Sequence, residues 1–282
     1  MMGYVWFEEQ DFAWRRHHGT LIPIAMPHVE PHIRKRDALL KMFKYGGLLI
    51  RWDEEFDSGS TGNWWHVIRT SPLPMEELSA NTRSKIRRGM KRLDTVRLGA
   101  EEVAKRGYDA YRSAYERYTS FEKPMGQTAF RQAIRALPEF TEFIGVAEKS
   151  TGDLVGFSEN VVRDDACFFN SLWFSPRGLR SYASYVLLYA MTNYYIADRG
   201  LAYVSDGARN ISHETGIHEF LQEKFRFRKA YSNLRVIYAP GVGLTVRVLY
   251  PFRHLIDKPQ TGFGKRLAVL LRQEEIRRSC LA

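Results

Sequence analysis

The sequence predicts an α+β protein: a mixed, mostly antiparallel sheet with helices on both faces, preceded by a small α/β N-terminal region. Three observations predict it. Phe140–Ala147, Leu154–Val162 and Ala166–Phe174 are apolar runs joined by the short turns 149–153 and Asp164-Asp165, so they read as consecutive antiparallel strands. The following stretch, SYASYVLLYAMTNYYIADRG from Ser181, places apolar residues at 182, 185, 186, 189, 190 and 196, the recurrence of a helix packed on a sheet. Gly200 is placed to end that helix in a left-handed cap, and Leu201–Val204 is apolar again, which makes a parallel crossover.

In chain order, Tyr4–Phe7 and Thr20–Met26 read as strands and Ile33–Phe43 as a short helix. Gly47–Trp52 and Trp64–Arg69 read as strands on either side of the loop Asp57–Asn63. Histidines 17, 18, 28 and 32 lie here, but Pro31 breaks the helix that a His28/His32 ligand pair needs, so no metal is expected. Pro72 and Pro74 mark a boundary, with a helix from Met75 or Glu76. Its second half carries Arg83, Lys85, Arg87, Arg88, Lys91 and Arg92 with no acidic residue between them. Such a cluster is either a solvated face or the footprint of a polyanion. Thr95–Leu98 is strand-like. Residues 101–118 read as one helix despite Gly107, with Tyr108, Tyr111, Tyr115 and Tyr118 on one packing stripe. Residues 126–137 form a second helix, ended by Pro138. After the crossover come a helix over His213–Phe225 and a last strand, Leu234–Ala239, ended by Pro240-Gly241-Val242-Gly243. A connector and a basic helix, Phe263–Arg278, complete the chain. The expected domains are 1–74, 75–240 and 241–282.

Composition narrows the partners. A formal charge of +10 favours an anion, and CoA, tRNA and acidic glycans all qualify. Cys167 and Cys280 do not make a disulfide framework and suit a reducing cytoplasm. No signal peptide is evident and no apolar run approaches a membrane span, so a cytoplasmic protein is expected. There is no Walker loop, nucleophile elbow, HExxH or CxxC.

Two resemblances follow from these residues. Arg177-Gly178-Leu179-Arg180-Ser181-Tyr182-Ala183, lying between strand and helix, resembles the GNAT acyltransferase loop Arg/Gln-x-x-Gly-x-Gly/Ala that cradles a CoA pyrophosphate. Asn210 resembles a pantetheine-contacting Asn, and Glu223-Lys224-Phe225-Arg226-Phe227 resembles the family's EKLGF, with Arg226 in place of Gly. Gln222 stands where many members have a Tyr that protonates the leaving thiolate. This resemblance covers roughly residues 141–239. The run NTRSKIRRGMKRL from Asn81, followed by the strand at Thr95–Leu98, resembles Fem-type transferases over roughly 75–240. Those are tandem GNAT-like enzymes that often take aminoacyl-tRNA as donor, and residues 1–75 are short for a full first copy.

The resemblance implies an N-acyltransferase moving an acyl group from acyl-CoA to a small-molecule or peptide amine; the alternatives are an aminoacyl-tRNA donor bound at Arg83–Arg92, or an anion-binding module without turnover. Transfer needs positioning, oxyanion stabilisation and removal of the amine proton. The resemblance places the oxyanion donor in the main chain around Trp173–Phe174 and the phosphates on Arg177, Gly178, Leu179, Arg180, Ser181 and Tyr182. Candidate bases are Glu159, inside an apolar strand, and Asp206, just past strand 201–204; burial raises a carboxyl pKa toward a useful value. Asn170 is a candidate to orient substrate. Each also has a structural reading: an ion pair for Glu159, a turn or cap for Asp206, and a sheet contact for Asn170.

Overall fold

The computed structural model of the chain describes residues 5–9, 12–59, 62–115, 123–211, 216–255 and 262–280. It is α+β with two mostly antiparallel sheets. Two compact units interleave in the sequence. A central unit comprises Ile68–Gly207 and Ile217–Arg228, and a flanking unit comprises Tyr4–Val67, Ala208–Gly216 and Lys229–Ala282, each over its described residues. The structure therefore shows interleaved units where the sequence suggests three consecutive segments.

The flanking unit begins with β1 (Val5–Glu9), β2 (Phe12–His17) and β3 (Thr20–Pro23), consecutive antiparallel neighbours. Strand β2 is not legible in the sequence pattern; Ala13 and Trp14 bury there beside two arginines and a histidine. Helix α1 (Lys35–Tyr45) follows, ended by Gly46 in a left-handed cap, then β4 (Leu49–Glu54), parallel to β3. Trp14, Leu21, Ala38, Met42 and Ile50 form the core under α1. Strand β5 (Trp65–Arg69) carries the chain from the flanking into the central unit.

A 3-10 turn over Met75–Glu77 precedes α2 (Ala80–Met90), so the helix expected from Met75 or Glu76 starts later. Ser79 decides the start: its Oγ accepts from Thr82 N at 3.2 Å, an N-cap worth about 1 kcal/mol. After β6 (Leu93–Leu98), the single helix expected over 101–118 is two, α3 (Ala100–Arg106) and α4 (Tyr108–Tyr115), divided at Gly107; residues beyond 115, Tyr118 included, lie outside the described part. The tyrosine stripe packs: Tyr111 lies against Phe130 of α5 (Gln127–Arg135), and Tyr115 stacks on Trp173.

Strands β7 (Thr141–Glu148), β8 (Leu154–Arg163) and β9 (Ala166–Phe174) form the antiparallel ladder read from the sequence, with β6 paired on β7. Next come α6 (Pro176–Arg180), where a turn was expected, and α7 (Ala183–Asn193), followed by a π-helical turn to Asp198 and Gly200 at φ 68°. Strand β10 (Tyr203–Ala208) runs parallel to β9, but their register stops at Ser205 opposite Phe168 while β9 continues to Phe174. The two strands thus part after the third residue of β9.

Helix α8 (Gly216–Phe225) and β11 (Arg228–Tyr231) lead to β12 (Asn233–Tyr238), which pairs with β4 from Asn233 opposite Glu54 to Tyr238 opposite Leu49. That pairing assigns β12 to the flanking unit. Pro240, expected to end the strand in a connector, instead opens α9 (Pro240–Leu249) at a position where its missing N–H costs nothing. A 3-10 helix over Tyr250–Leu255 and α10 (Gly262–Ser279) follow. Among the described residues, no helix is long and apolar enough to cross a membrane.

Candidate functional site

The α6 segment is drawn tightly onto β8. A Cβ on Gly178 would lie 2.5 Å from the Val155 carbonyl oxygen, so only glycine fits. Ser175 Oγ accepts from Gly178 N at 3.0 Å, Leu179 N donates to the Ser175 carbonyl, and the Ser181 and Tyr182 N–H groups donate back into α6. These N–H groups, the expected phosphate cradle, are therefore bonded within the segment itself. Arg177 is engaged too. It pairs with Glu148 and lies 3.3 Å from Asp153, both at the β7–β8 turn. Arg180 is exposed.

Tyr182 departs from ordinary backbone geometry. It caps α7 with φ 64° and ψ 28°, the left-handed region that a side chain occupies at a cost of about 1–2 kcal/mol. It also stands at the Gly/Ala position of the resembled loop. The tyrosine ring is in use: Arg88 lies 5.4 Å from its centroid and donates to its hydroxyl at 3.3 Å. One helical turn away, Lys85 stands 4.9 Å over Tyr185 and donates to that hydroxyl at 3.1 Å. Arg226, the other replaced glycine, is likewise left-handed at φ 59°, and its Nε donates to the Glu77 carbonyl. Arg69, only 5% exposed, bonds the Arg226 carbonyl, the Pro72 carbonyl and the Glu77 carboxylate, fixing the segment that leads into α2.

Helix α2 approaches α7 so closely that a Cβ on Gly89 would sit 2.4 Å from Val186. This packing orients the cations. Arg87, Arg88, Lys91 and Arg92 are exposed, while Arg83 is half-buried and donates to the Leu78 carbonyl at 2.6 Å. No carboxylate among the described residues pairs with any of the six cations, whereas Arg69 and Arg177 are both held by acids. A shallow depression of about 330 Å³ on this face is lined by Ala80, Arg83, Ser84, Arg87, Arg88 and Lys91. Positive charge thus gathers beside the N-terminus of α7, which itself favours anions.

The acid/base candidates fall into two separate pairs. Glu159 is fully buried on β8, and Asn170 Nδ2 donates to its Oε1 at 2.9 Å. Asn170 is the extra residue of a β-bulge, since Glu159 faces Ser171 and Asn160 faces Phe169. Asp206, on β10 past its last pair with β9, lies 3.3 Å from His218 Nε2 of α8, and both side chains are more than nine-tenths buried. Burial pushes the Asp206 carboxyl above its usual value, against the hydrogen bond and charge of His218. Sequence reasoning placed His218 on the helix but did not join it to Asp206, because only the fold brings β10 and α8 together. His213 lies outside the described residues. Trp173 packs its ring on Tyr111 and Tyr115, and Phe174 is buried against Gly156. Asn210 lies beyond β10, within the flanking unit. Among the described residues, no cluster of three or more His, Cys, Asp or Glu is placed to hold a metal.

No protein-family model matches the chain, and no curated protein matches its sequence. Solved structures do match. FemX is 11% identical over 91% of each chain with a TM-score of 0.55. L-PGS from Bacillus licheniformis is 12% identical over 98% of this chain and 90% of its own, with a TM-score of 0.53. A tandem GNAT protein from the clavulanic acid biosynthesis pathway is 11% identical over 80% and 78%, with a TM-score of 0.45. The chain has a GNAT-like, Fem-type α+β fold.

Proposed function

We propose that the chain is an acyl-group transferase whose donor is an aminoacyl-tRNA and whose acceptor is a small-molecule or peptide amine. One observation carries the choice of donor. The loop that serves CoA phosphates in the resembled GNAT family has its N–H groups bonded internally and Arg177 paired with Glu148 and Asp153, while the six cations from Arg83 to Arg92 have no acidic partner among the described residues. A polyanion larger than CoA suits that division. The Fem-type resemblance implies the same donor.

The chemistry is an aminolysis. The acceptor nitrogen attacks the ester carbonyl, a C–N bond forms, the C–O bond to the terminal ribose breaks, and the amine proton ends on the ribose oxygen. Asp206 is assigned as the base that takes the proton, because burial raises its affinity for one and His218 orients it. Glu159 and Asn170 are assigned to the acceptor, and the main chain at Trp173–Phe174 to the oxyanion, where β9 has parted from β10.

Filter retention of total tRNA at two salt concentrations tests the donor. Retention by the wild type is expected to fall with a logarithmic slope of roughly 0.7–0.9 per phosphate contacted. Arg87→Glu/Arg88→Glu/Lys91→Glu is expected to abolish it, and Arg177→Ala/Arg180→Ala to leave it intact. Salt-insensitive or absent retention, with calorimetric binding of CoA lost in the Arg177/Arg180 variant, would instead establish acyl-CoA as the donor.

A further inference from the structure

One face of the flanking sheet brings two arginines together. Side chains alternate across a strand, and Trp14 of β2, Leu21 of β3 and Ile50 of β4 all point into the core under α1. Their neighbours Arg15, Ile22 and Arg51 therefore point to the opposite face. The register sets them in one row: Arg15 is opposite Ile22, and the pairing of Leu21 with Ile50 puts Ile22 beside Arg51. Helix α10 lies against that face. There Gln273 Oε1 accepts from Arg51 Nη1 at 3.1 Å, and the Tyr238 hydroxyl of β12 donates to Glu274 at 3.0 Å.

Arg51 is half-buried, and among the described residues no carboxylate lies within ion-pair distance of it. The neighbouring acids are committed elsewhere. Asp53, two residues on along the same face, accepts from Trp64, His66 and Ser232, and Glu274, next to Gln273, pairs with Arg277 and Arg278. Burial and the charge of Arg15 push the Arg51 guanidinium down to about 10, so it still carries its charge at neutral pH. Arg15 has contacts of its own and adds positive charge rather than an open donor. Gln273 supplies a second, independent observation. Its side chain is 4% exposed, and its Nε2 has no hydrogen-bond partner among the described residues, since the Tyr238 hydroxyl near it is turned to Glu274. A buried donor without an acceptor and a desolvated cation without an anion are each unfavourable, and one anionic acceptor answers both. Two positive charges favour a dianion over a carboxylate, and the guanidinium fork matches the oxygens of a phosphate.

We propose that Arg51, Arg15 and Gln273 form a binding site for a phosphate group between the flanking sheet and α10, and that its ligand fastens the C-terminal helix to the sheet. All three residues belong to the flanking unit, and none takes part in the transfer chemistry proposed above.

The test is the melting temperature of the full chain, with calorimetric titration, in inorganic phosphate against chloride and acetate at equal ionic strength and neutral pH. Phosphate is expected to raise the melting temperature by about 5 °C at a hundredfold excess over its dissociation constant, and chloride and acetate to leave it unmoved. Glycerol 3-phosphate distinguishes the source of the group. Affinity equal to or above that of inorganic phosphate assigns the site to a phosphate ester, and a tenfold or greater loss assigns it to the free ion; both keep the site. Arg51→Met is expected to abolish the response. Gln273→Glu places a carboxylate beside Arg51 within the chain, so it is expected to melt above the wild type without phosphate and to bind phosphate at least tenfold more weakly. A variant that merely damaged packing would melt below it. The α2 variant Arg87→Glu/Arg88→Glu/Lys91→Glu is expected to keep the full response. The proposal is overturned if wild type responds to phosphate no more than to acetate, or if the α2 variant loses the response while Arg51→Met keeps it. It is equally overturned if Gln273→Glu melts lower than wild type and binds phosphate with unchanged affinity.

Discussion

Among the described residues, each unit sets an aspartate against a buried histidine, and the two pairs are built differently. In the flanking unit, Asp53 Oδ1 accepts from Trp64 Nε1 at 2.6 Å, from His66 Nε2 at 2.8 Å and from Ser232 Oγ at 2.9 Å. Burial pushes this carboxyl up, but the charge of His66 and the three hydrogen bonds outweigh it and hold it below the ordinary 3.8. In the central unit, Asp206 has His218 at 3.3 Å, and there burial wins and the carboxyl is raised. A carboxylate saturated with donors is committed to structure, because its proton affinity has been spent on fixed partners. One that is buried with fewer donors keeps proton affinity for a substrate.

The largest effect that separates the pairs is on catalysis. Asp206→Asn is expected to lower the rate of aminoacyl transfer roughly 10²–10⁴-fold, the range for losing a general base, without lowering the melting temperature. Transfer at the wild-type rate would remove Asp206 from the mechanism and pass the role to Glu159, for which Glu159→Gln is the matching variant. The mirror experiment concerns stability. Asp53→Ala leaves an indole N–H, an imidazole and a hydroxyl without their shared acceptor, and is expected to cost about 3 kcal/mol in chemical denaturation. A loss near zero would show that the Asp53 cluster is not structural and would break the comparison.

The pairs also differ in how stability follows pH, and the signs are opposite. Asp53 is depressed in the folded state, so its contribution is present above 3.8 and is lost as pH falls through its lowered value. Asp206 is raised, so its contribution is present below 3.8 and is lost as pH rises through its folded value. The gap in melting temperature between wild type and Asp53→Ala is therefore expected to be widest near neutrality and to close in acid. Asp206→Asn is expected to match or exceed wild type near neutrality, with its advantage vanishing in acid. Parallel curves for the two variants would mean that the buried carboxyls are not tuned in opposite directions.

Neither pair could be read whole from the sequence. The ladder β7–β9, the crossover to β10 and the left-handed stop at Gly200 were legible, because each depends on local pattern and short connections. Asp53 was not, since its partners lie 11, 13 and 179 residues away. Asp206 was singled out for its place after a strand, but its partner arrives on a helix whose distance no periodicity encodes. The commitment of Arg177 to Glu148 and Asp153 was hidden for the same reason, and with it the closed state of the expected phosphate loop. Strand β12 misled in another way: its pattern marked a strand correctly but could not say that β4, far earlier in the chain, was its neighbour.

The smallest effect tests the backbone strain that the central unit holds at Tyr182. Tyr182 holds φ 64° at the head of α7, and its ring and hydroxyl receive Arg88. Glycine would adopt that backbone without a Cβ penalty, so Tyr182→Gly is expected to stabilise the fold by up to about 1 kcal/mol, the strain relieved being partly offset by glycine's larger unfolded-state entropy. Without the ring, Arg88 loses its stacking partner and the cation cluster its fixed edge, so tRNA retention is expected to weaken a few-fold. A strained residue that raises stability when replaced, and lowers binding in the same variant, is one retained for its ligand. If Tyr182→Gly instead destabilises the protein and leaves tRNA retention unchanged, the tyrosine serves the packing of α2 on α7, and the central unit is as closed here as the flanking unit is at Asp53.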